Sequence, residues 1–432
     1  MIRFILADLR RLWAGALVVV LLVAFAAALG TAVSLQERAL RLGSARAADK
    51  FDLVIGAAGS ETQLVLSSVF LQAAPLPLLP GEVLARLASD PRVQWAAPVG
   101  FGDSYAGYPI VGTTTTLVRG TTPGLLAGRL FEREGEALAG SAVDLPLGHE
   151  LAPVHGQGEG EGHAHGGARY RIVGRLQATG TPWDRAILVP IQSVWHVHGL
   201  GRDAAADAAG EGADDGDEHE HEHEHEHEHE HEHEHGEGAG LRPDAPLDER
   251  FGPGTPGVPA ILVKPASIAD AYKLRQAYRA GATLGVFPAE VLTRLYGTLG
   301  DARAILGAVA AAAQALVAAA LVLVTVMHVG QRRRQLGALR AFGAPRRAVF
   351  GIVWLELFAL LALGIALGLA LGWAVSAGLA QALAARSGIV MPVAFDREDL
   401  PMALALFGFA AVLAALPAVL AYRQSPVRAL RD

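Results

Sequence analysis

Four apolar runs stand out in the pattern of hydrophobic and polar positions along this chain. They cover Leu12–Val33, Ala304–Val329, Val349–Val375 and Leu400–Ala421. Each is at least as long as the roughly 20 residues that a helix needs to cross the hydrocarbon core of a bilayer. The first run exceeds the apolar part of a secretory signal, about 7–15 residues, so we interpret it as a retained anchor. The pattern therefore predicts four transmembrane helices.

Arginines flank these runs on alternate sides. They precede the first run, separate the second from the third and follow the fourth, at Arg3, Arg10, Arg11, Arg332–Arg334, Arg340, Arg346, Arg347, Arg423, Arg428 and Arg431. Because basic residues concentrate in cytoplasmic loops, we expect a multi-pass protein of the inner (cytoplasmic) membrane with both termini cytoplasmic. Residues 36–301 and the connection Ala377–Asp399 should then lie on the periplasmic side.

Residues 36–301 alternate between strand-like and helix-like segments. This alternation predicts an α+β domain with its own core. The predicted fold class is therefore membrane α, with four transmembrane helices, plus an α+β extracytoplasmic domain inserted between helices 1 and 2. The predicted domains are an N-terminal segment with helix 1 (1–35), the periplasmic domain (36–301) and a permease domain with helices 2–4 (302–432).

Individual elements of the outer domain follow from local signals. Helices are expected from Gly81 to Leu87 and from Ser267 to Arg279, with a turn at Gly100–Ser104. Two of the predicted strands, Tyr170–Leu176 and Ala186–Pro190, should pair with each other across Thr179–Asp184. The predicted strands are Phe51–Ile55, Arg92–Val99, Tyr108–Val111, Tyr170–Leu176, Ala186–Pro190 and Val258–Val263. Residues 201–257 have no periodicity and are predicted to form a disordered loop.

The acidic residues of this chain are unevenly distributed. The chain has 36 basic and 43 acidic residues, but Glu211–Glu237 alone holds 14 acidic residues and no basic one. The acidic excess is therefore local, and it gives no reason to expect a nucleic-acid partner.

The only lysines, Lys50, Lys264 and Lys273, do not fit a phosphate-binding G-x-x-x-x-G-K-[ST] loop. The chain is not expected to be an enzyme, so any ATP hydrolysis must occur on a separate subunit.

Several phrases of the sequence resemble one transporter family. Arg332–Arg347 (RRRQLGALRAFGAPRR) and Tyr422–Leu430 (YRQSPVRAL) are similar to segments of the FtsX-like permeases, the MacB and LolC/LolE (type VII) class of ABC transporter. Outer-domain phrases also match one branch, at Asp52–Ser60, Gln63–Phe70, Asp90–Pro98 and Thr179–Arg185. The resemblance implies a dimer of permeases in membrane lipid that works with cytoplasmic ABC ATPase subunits. A heterodimer stays open, but we expect a homodimer, because nothing in the sequence suggests a truncated half. Such a permease transmits motion across the membrane and need not conduct its substrate.

The segment Gln331–Arg347, here called the coupling segment, combines an apolar stripe with arginines. Leu336, Leu339 and Phe342 recur at helical spacing, which suits docking in a groove of a partner. An ordinary positive-inside loop is the alternative, but topology alone would not require the stripe. The predicted ATPase-coupling residues are Arg332, Arg333, Arg334, Leu336, Leu339, Arg340, Phe342, Arg346 and Arg347.

Nine consecutive Glu-His pairs form the Glu-His tract, Glu218–His235. Imidazole is the commonest side-chain ligand for zinc and also suits copper and nickel. The tract therefore predicts many weak, overlapping sites for Zn²⁺, Cu or Ni, and no tightly bound cofactor. A solubilising low-complexity loop is the alternative, and the H-E-x-x-H matches arise automatically from the repeat. The predicted ligands are His219, His221, His223, His225, His227, His229, His231, His233 and His235.

These features together predict the permease subunit of an ATP-driven transporter, acting as a mechanotransmitter and linked to zinc or other divalent-metal homeostasis. A periplasmic metal-binding protein or a lipoprotein is a further expected partner. Two alternatives stay open: extraction of lipoproteins or amphipathic molecules with an incidental tract, and a membrane-anchored metal-binding protein without an ATPase. In the third run, Gly364, Gly368 and Gly372 recur every four residues, which predicts close packing against another span or a dimer mate.

Overall fold

The computed structural model describes residues 13–72, 74–155, 168–200, 241–297 and 345–423, with scattered positions between 304 and 319. These residues form two compact units. The membrane unit comprises Met1–Gly43, Tyr296–Ala384 and Met391–Asp432, and the outer unit comprises Ser44–Leu295 and Ala385–Val390.

The helices and strands follow in chain order. The helices are α1 (Trp13–Ala48), α2 (Glu61–Ser68), α3 (Gly81–Ser89), α4 (Thr115–Thr121), α5 (Ile191–Val197), α6 (Ile268–Ala277), α7 (Arg346–Ser387) and α8 (Leu400–Arg423). The strands are β1 (Leu53–Ala57), β2 (Val93–Tyr105), β3 (Tyr108–Thr113), β4 (Leu125–Gly128), β5 (Glu136–Ala139), β6 (Glu150–Leu151), β7 (Val154–His155), β8 (Tyr170–Leu176), β9 (Ile187–Pro190), β10 (Ala260–Pro265) and β11 (Thr283–Val286). Short 3₁₀ helices occupy Pro182–Arg185 and Arg397–Asp399, and residues 288–297 are also helical.

Three of the described helices are long and apolar enough to cross a membrane, namely Trp13–Ala48, Arg346–Ser387 and Arg397–Val419. They correspond to the first, third and fourth predicted spans. Two of them exceed a bilayer span, because α1 has 36 residues and α7 has 42. The second predicted span lies mostly outside the described residues, although its described positions between 304 and 319 are helical.

The glycine repeat of α7 packs against α1 of the same chain. A Cβ atom at Gly364, Gly368 or Gly372 would come within 2.5–2.7 Å of a side-chain atom on α1. The α1 residues concerned are Val23, Ala27 and Thr31. The two backbones therefore approach as closely as small-xxx-small packing allows. Of the two partners that the sequence left open, a neighbouring span is confirmed.

Polar contacts tie the helices of the membrane unit together at two further places. Ser376 on α7 donates its hydroxyl to the carbonyl of Ala32 on α1, at 3.2 Å. Arg38, near the end of α1, donates to a carboxylate oxygen of Asp399 at 2.7 Å, and this pair is partly shielded from solvent. Each contact joins α1 to an element far away in the sequence, so together they fix how α1 packs within its unit.

The outer unit is built on one mixed sheet of eleven strands. Its order is β11-β1-β10-β2-β3-β9-β5-β8-β4, with β6 paired to β8 and β7 paired to β2. Most neighbours are antiparallel, but β3 with β9 and β5 with β8 are parallel. In β1, Val54 packs on one face while Leu53 and Ile55 pack on the other, and all three are fully buried. Burial on both faces explains why this strand reads as a continuous apolar run.

The predicted turn at Gly100–Ser104 is wrong, because β2 continues through this segment to Tyr105. The hairpin to β3 closes instead at Ala106 and Gly107, whose φ angles are 49° and 77°. Two consecutive positive φ angles are what a tight two-residue hairpin requires. The glycine and polar residues of 100–104 mark an irregularity within β2, between Phe101 and Ser104.

The predicted pairing of Tyr170–Leu176 with Ala186–Pro190 is also wrong. Both segments contain strands, β8 and β9, but β5 lies between them, parallel to β8 and antiparallel to β9. The connection Thr179–Asp184 is therefore not a hairpin loop. It carries the chain across β5, a position that local sequence signals do not reveal.

Residues 241–257, which we expected to belong to a disordered loop, pack on the outer unit. Leu241 is buried, and the carboxylate of Glu249 accepts hydrogen bonds from the backbone and the hydroxyl of Thr115. Two isolated bridges, Leu79–Val258 and Arg133–Pro246, fix the segment at both ends. Long-range contacts of this kind order a stretch that has no periodicity of its own.

Candidate functional site

The predicted coupling residues lie almost entirely outside the described part of the chain. This applies to Arg332, Arg333, Arg334, Leu336, Leu339, Arg340 and Phe342. Arg346 and Arg347 are described, and they are exposed on the first turn of α7. Their position at the start of the third span agrees with a loop that ends there, but it does not test their role as coupling residues.

The histidines of the Glu-His tract also lie outside the described residues. Four other histidines of the outer unit are described: His149, His155, His196 and His198. All four face a carboxylate or a phenol. Nε2 of His149 lies 3.0 Å from the Tyr105 hydroxyl, and the other three belong to two carboxylate–imidazole groups on the same region of the sheet.

The first of these groups is the Asp103 cluster, which consists of Asp103, His155 and His198. Nδ1 of His155 lies 3.2 Å from Oδ1 of Asp103, and Nε2 of His198 lies 3.3 Å from Oδ2 of the same carboxylate. One donor atom from each residue lies within 4.8 Å of the other two. The imidazole rings of His155 and His198 meet edge to face, with centroids 5.6 Å apart.

Three elements place these side chains. Asp103 and His155 are cross-strand neighbours in the antiparallel pairing of β2 with β7, so their side chains project from the same face of the sheet. His198 caps the C-terminal end of α5, where its backbone N–H bonds to the carbonyls of Val194 and His196. The three residues therefore meet through backbone pairing and helix termination.

An irregularity in β2 directs the side chain of Asp103 toward His155 and His198. Regular pairing with β3 breaks between Phe101 and Ser104, and Gly102 has a φ of 155°, which favours glycine. As a result, Asp103 and Ser104 are both buried, although neighbours in a regular strand point to opposite faces. Bulges of this kind often re-aim a side chain next to a functional site.

A second buried carboxylate lies nearby. Oε2 of Glu134 is 2.9 Å from Nδ1 of His196, two residues before His198. Both Glu134 and Asp103 act electrostatically on the phenol of Tyr170. Burial raises the pKa of Tyr170 well above its usual value, an effect that the two carboxylates increase and a hydrogen bond with Ser193 reduces. The region therefore brings two buried carboxylates together with three partly exposed imidazoles.

Sequence reasoning recognised His155, His196 and His198 only as histidines of the outer domain, and it missed Asp103 by assigning that residue to a turn. The available signals were the H-x-H spacing of 196 and 198, and the alternation that extends β2 past Gly100. Neither signal shows that His155 and His198 approach the same carboxylate, because these residues are far apart in the chain.

The motif Thr179–Arg185 has a structural explanation in the outer unit. The buried carboxylate of Asp184 accepts hydrogen bonds from the backbone N–H and the hydroxyl of Thr179 and from the N–H of Gly180, at 2.7–3.0 Å. The indole N–H of Trp183 donates to the carbonyl of Val69 at 3.1 Å. Arg185 donates to the carbonyl of Ala385, which ties residues 385–390 to this loop.

Comparison with known proteins bears on residues 307–427 of the chain. Residues 307–427 match the family of FtsX-like permease C-terminal domains. Among solved structures, the extracellular domain of YknZ, a noncanonic ABC-type transporter from Gram-positive bacteria, aligns with 54% of this chain and 98% of its own length, at 11% identity and a TM-score of 0.27. No curated protein matches the chain. The resemblance carried by the basic and apolar segment after the second predicted span is confirmed for residues 307–427, which match FtsX-like permease C-terminal domains.

Proposed function

We propose that this chain is the permease subunit of an ATP-driven, MacB/FtsX-like ABC transporter, that it acts as a mechanotransmitter, and that it serves zinc or other divalent-metal homeostasis. One observation supports the role as a mechanotransmitter. Helix α1 is a single element of 36 residues, and its last residues, from Ser44, belong to the outer unit. At 1.5 Å per residue it is about 54 Å long, well beyond the roughly 30 Å of hydrocarbon. A stiff helix shared by both units can pass motion from one to the other.

In this proposal, a separate ATPase subunit supplies the energy for the motion. The FtsX-like permease family implies a cytoplasmic ATPase, and the sequence contains no phosphate-binding loop of its own. We place four spans in the inner membrane, with both termini cytoplasmic and the outer domain periplasmic between the first two spans. Two permease copies would engage two ATPase subunits through the coupling segment.

The link to metal rests on composition. The nine imidazoles of the Glu-His tract would raise the local concentration of Zn²⁺ through many weak sites. A loop that only solvates the domain has no need for histidine. Metal would then be either the cargo or the signal to which the transporter responds.

The first test addresses coupling to the ATPase. Leu336, Leu339 and Phe342 are replaced together by serine, which removes the apolar stripe and keeps every arginine, so that topology is preserved. We expect loss of co-purification with the ATPase and loss of ATP-dependent function. Changing Arg332, Arg333 and Arg334 to lysine keeps the charge and serves as the matched control. Retention of the ATPase by the serine variant would contradict the coupling role.

The second test addresses metal. A strain that lacks this chain is grown under zinc chelation and complemented with the wild type or with a variant whose Glu-His tract is replaced by a Gly/Ser linker. We expect the wild type to rescue growth and the linker variant to fail. Equal rescue would keep the metal link but make the tract dispensable, and the absence of any growth defect would remove zinc homeostasis from the proposal.

An apolar groove in the membrane unit favours a second candidate, the extraction or export of lipoproteins or other amphipathic molecules. The groove has a volume of about 460 Å³. Its walls are almost entirely hydrophobic and include Val23, Ile365, Ala405, Phe409 and Leu413. Filling it with Ala405→Phe should reduce export of an acylated cargo and leave zinc-limited growth unchanged. If growth fell and export persisted, the groove would not be a cargo site.

A further inference from the structure

We propose that the Asp103 cluster is a site for one divalent transition-metal ion, with Zn²⁺ the best match. The site is distinct from the Glu-His tract, since all three ligands lie on β2, β7 and the end of α5. Its physiological role as the position where the outer domain senses metal rests on the function proposed above. Binding itself is a property of these three side chains and stands independently of that function.

The distances within the cluster resemble those of a zinc shell. In a tetrahedral site with bonds of about 2.0–2.2 Å, neighbouring ligand atoms lie roughly 3.3–3.5 Å apart. The two oxygen–nitrogen separations here are 3.2 and 3.3 Å. Each separation involves a different oxygen of Asp103, so binding one ion through a single oxygen would require the histidines to move closer. His155 has the freedom to do so, because 60% of its side chain is exposed.

The chemistry of the donors selects the class of ion. Two imidazoles with one carboxylate suit Zn²⁺ and its transition-metal neighbours, whereas Ca²⁺ and Mg²⁺ prefer oxygen ligands throughout. Two His and one acidic residue are also the protein ligands of one class of zinc centre that leaves a fourth position open.

Burial of the carboxylate gives the site a reason to take a cation. Asp103 is only 4% exposed and contacts both histidines, and metal coordination is one of the ways in which a buried carboxylate is accommodated. Glu134, also buried, contributes a second carboxyl group to the same region. A divalent ion would place its positive charge directly beside the Asp103 carboxylate. The Glu134–His196 pair would then act as a supporting contact on the helix that holds His198.

Occupancy would also have a mechanical effect. The metal would link β7, a strand of two residues, to the end of α5 through the edge of β2. Short pairings of this kind contribute little stability by themselves. A bound ion would therefore stabilise the part of the outer unit where these three elements meet, and a single site saturates at a defined metal concentration. A single site that saturates at a defined metal concentration can act as a sensor. The Glu-His tract, with its many weak sites, would instead bind metal over a broad range of concentrations.

The test uses the full-length chain in nanodiscs, in a background that removes competing histidines. In this background the Glu-His tract is replaced by a Gly/Ser linker and His163 and His165 are changed to glutamine. Zn²⁺ binding is measured by competition with a chromophoric chelator, and Co²⁺ absorption reports the coordination geometry. We expect one saturable Zn²⁺ per chain, a tetrahedral Co²⁺ spectrum and an unfolding temperature that rises with zinc.

Single variants assign the ligands. His198→Ala and His155→Ala should each weaken Zn²⁺ binding by at least about tenfold, the scale reached when even an outer partner of a ligand is lost. Both should also abolish the zinc-dependent rise in unfolding temperature. His149→Gln, which alters a histidine paired with Tyr105 instead, is the matched control and should bind as the background does. Metal-free unfolding temperatures show whether each variant is folded.

Two outcomes would contradict metal binding at the Asp103 cluster. Absence of a saturable ion in the background would mean that Asp103, His155 and His198 contact one another without binding metal. Unchanged Zn²⁺ affinity in both His155→Ala and His198→Ala would mean that the ion binds elsewhere in the chain. The proposed function is tested separately, because a zinc-bound cluster in a strain without any zinc-limited growth defect would uphold the site and remove its sensing role.

Discussion

Gly368 on α7 faces Ala27 on α1 so closely that a Cβ atom on the glycine would come within 2.5 Å of the Cβ of the alanine. It would also lie 2.6 Å from the carbonyl oxygen of Ala24. A backbone oxygen cannot give way as a flexible side chain can. The contact therefore requires glycine, and it holds together two residues that lie more than three hundred positions apart in the sequence.

Gly368→Leu should separate α1 from α7. We expect a loss of stability of about 1–3 kcal/mol, because the extra side chain forces backbone shifts. The control is Gly378→Leu on the same helix, where a Cβ has nothing within 4 Å. Thermal unfolding of both variants in detergent checks the prediction. Equal unfolding temperatures would mean that the glycine stripe does not fix this packing.

The ion pair between Arg38 and Asp399 should contribute measurably to the stability of the membrane unit. The two side chains are only 14% and 26% exposed, so solvent screens them less than a surface pair. A double-mutant cycle with Arg38→Gln and Asp399→Asn should give a coupling energy above about 0.5 kcal/mol. Arg41→Gln, which breaks the more exposed pair with Glu37 on the same helix, should cost less. Additive effects of the two changes would contradict direct coupling.

Asp184 should be essential for the fold of the loop Thr179–Arg185. Its carboxylate accepts three different donors while it is 5% exposed. Asp184→Ala leaves these donors unsatisfied, and we expect a loss of about 3 kcal/mol in the free energy of unfolding. Asp184→Asn should lose less, since it keeps an acceptor oxygen. The exposed Asp144→Ala is the control, and a similar loss there would show that the buried network is unimportant.

Glu136 should stabilise the outer unit at neutral pH and less so in acid. Burial alone would raise the pKa of Glu136, but hydrogen bonds from Arg129 and from the backbone N–H groups of Glu132 and Arg133 lower it below its ordinary value. A depressed pKa in the folded state contributes stability above the unfolded pKa, about 4.3, and this stability is lost as the pH falls further.

The measurement compares Glu136→Gln with the wild type at pH 7 and below pH 4. We expect the variant to be less stable at pH 7 by about 1–3 kcal/mol, the range for hydrogen bonds to charged groups. The difference should shrink in acid, where the wild-type carboxylate takes up a proton. A difference that stays constant between the two pH values would contradict the depressed pKa.

Some features of this protein followed from the order of its residues. Runs of apolar residues long enough for a bilayer predicted α1, α7 and α8, because the cost of exposing polar groups to lipid acts on each span by itself. Strands such as β1 and β10 were found for a similar reason, since burial of both faces leaves an apolar run. The basic and apolar motif after the second predicted span indicated the family through its residue types and their spacing alone.

Other features depended on residues that are distant in the chain. The strand β5 separates β8 from β9, and Gly102 bends β2, although neither is recognisable from local periodicity. The Asp103 cluster has the same origin, because β7 brings His155 opposite Asp103 while α5 ends at His198. Local sequence patterns determine which segments become helices and strands, whereas the register of the sheet and the ends of the helices decide which side chains meet. That is why the sequence predicted the transmembrane helices and the resemblance of residues 307–427, whereas only the tertiary structure located a candidate metal site.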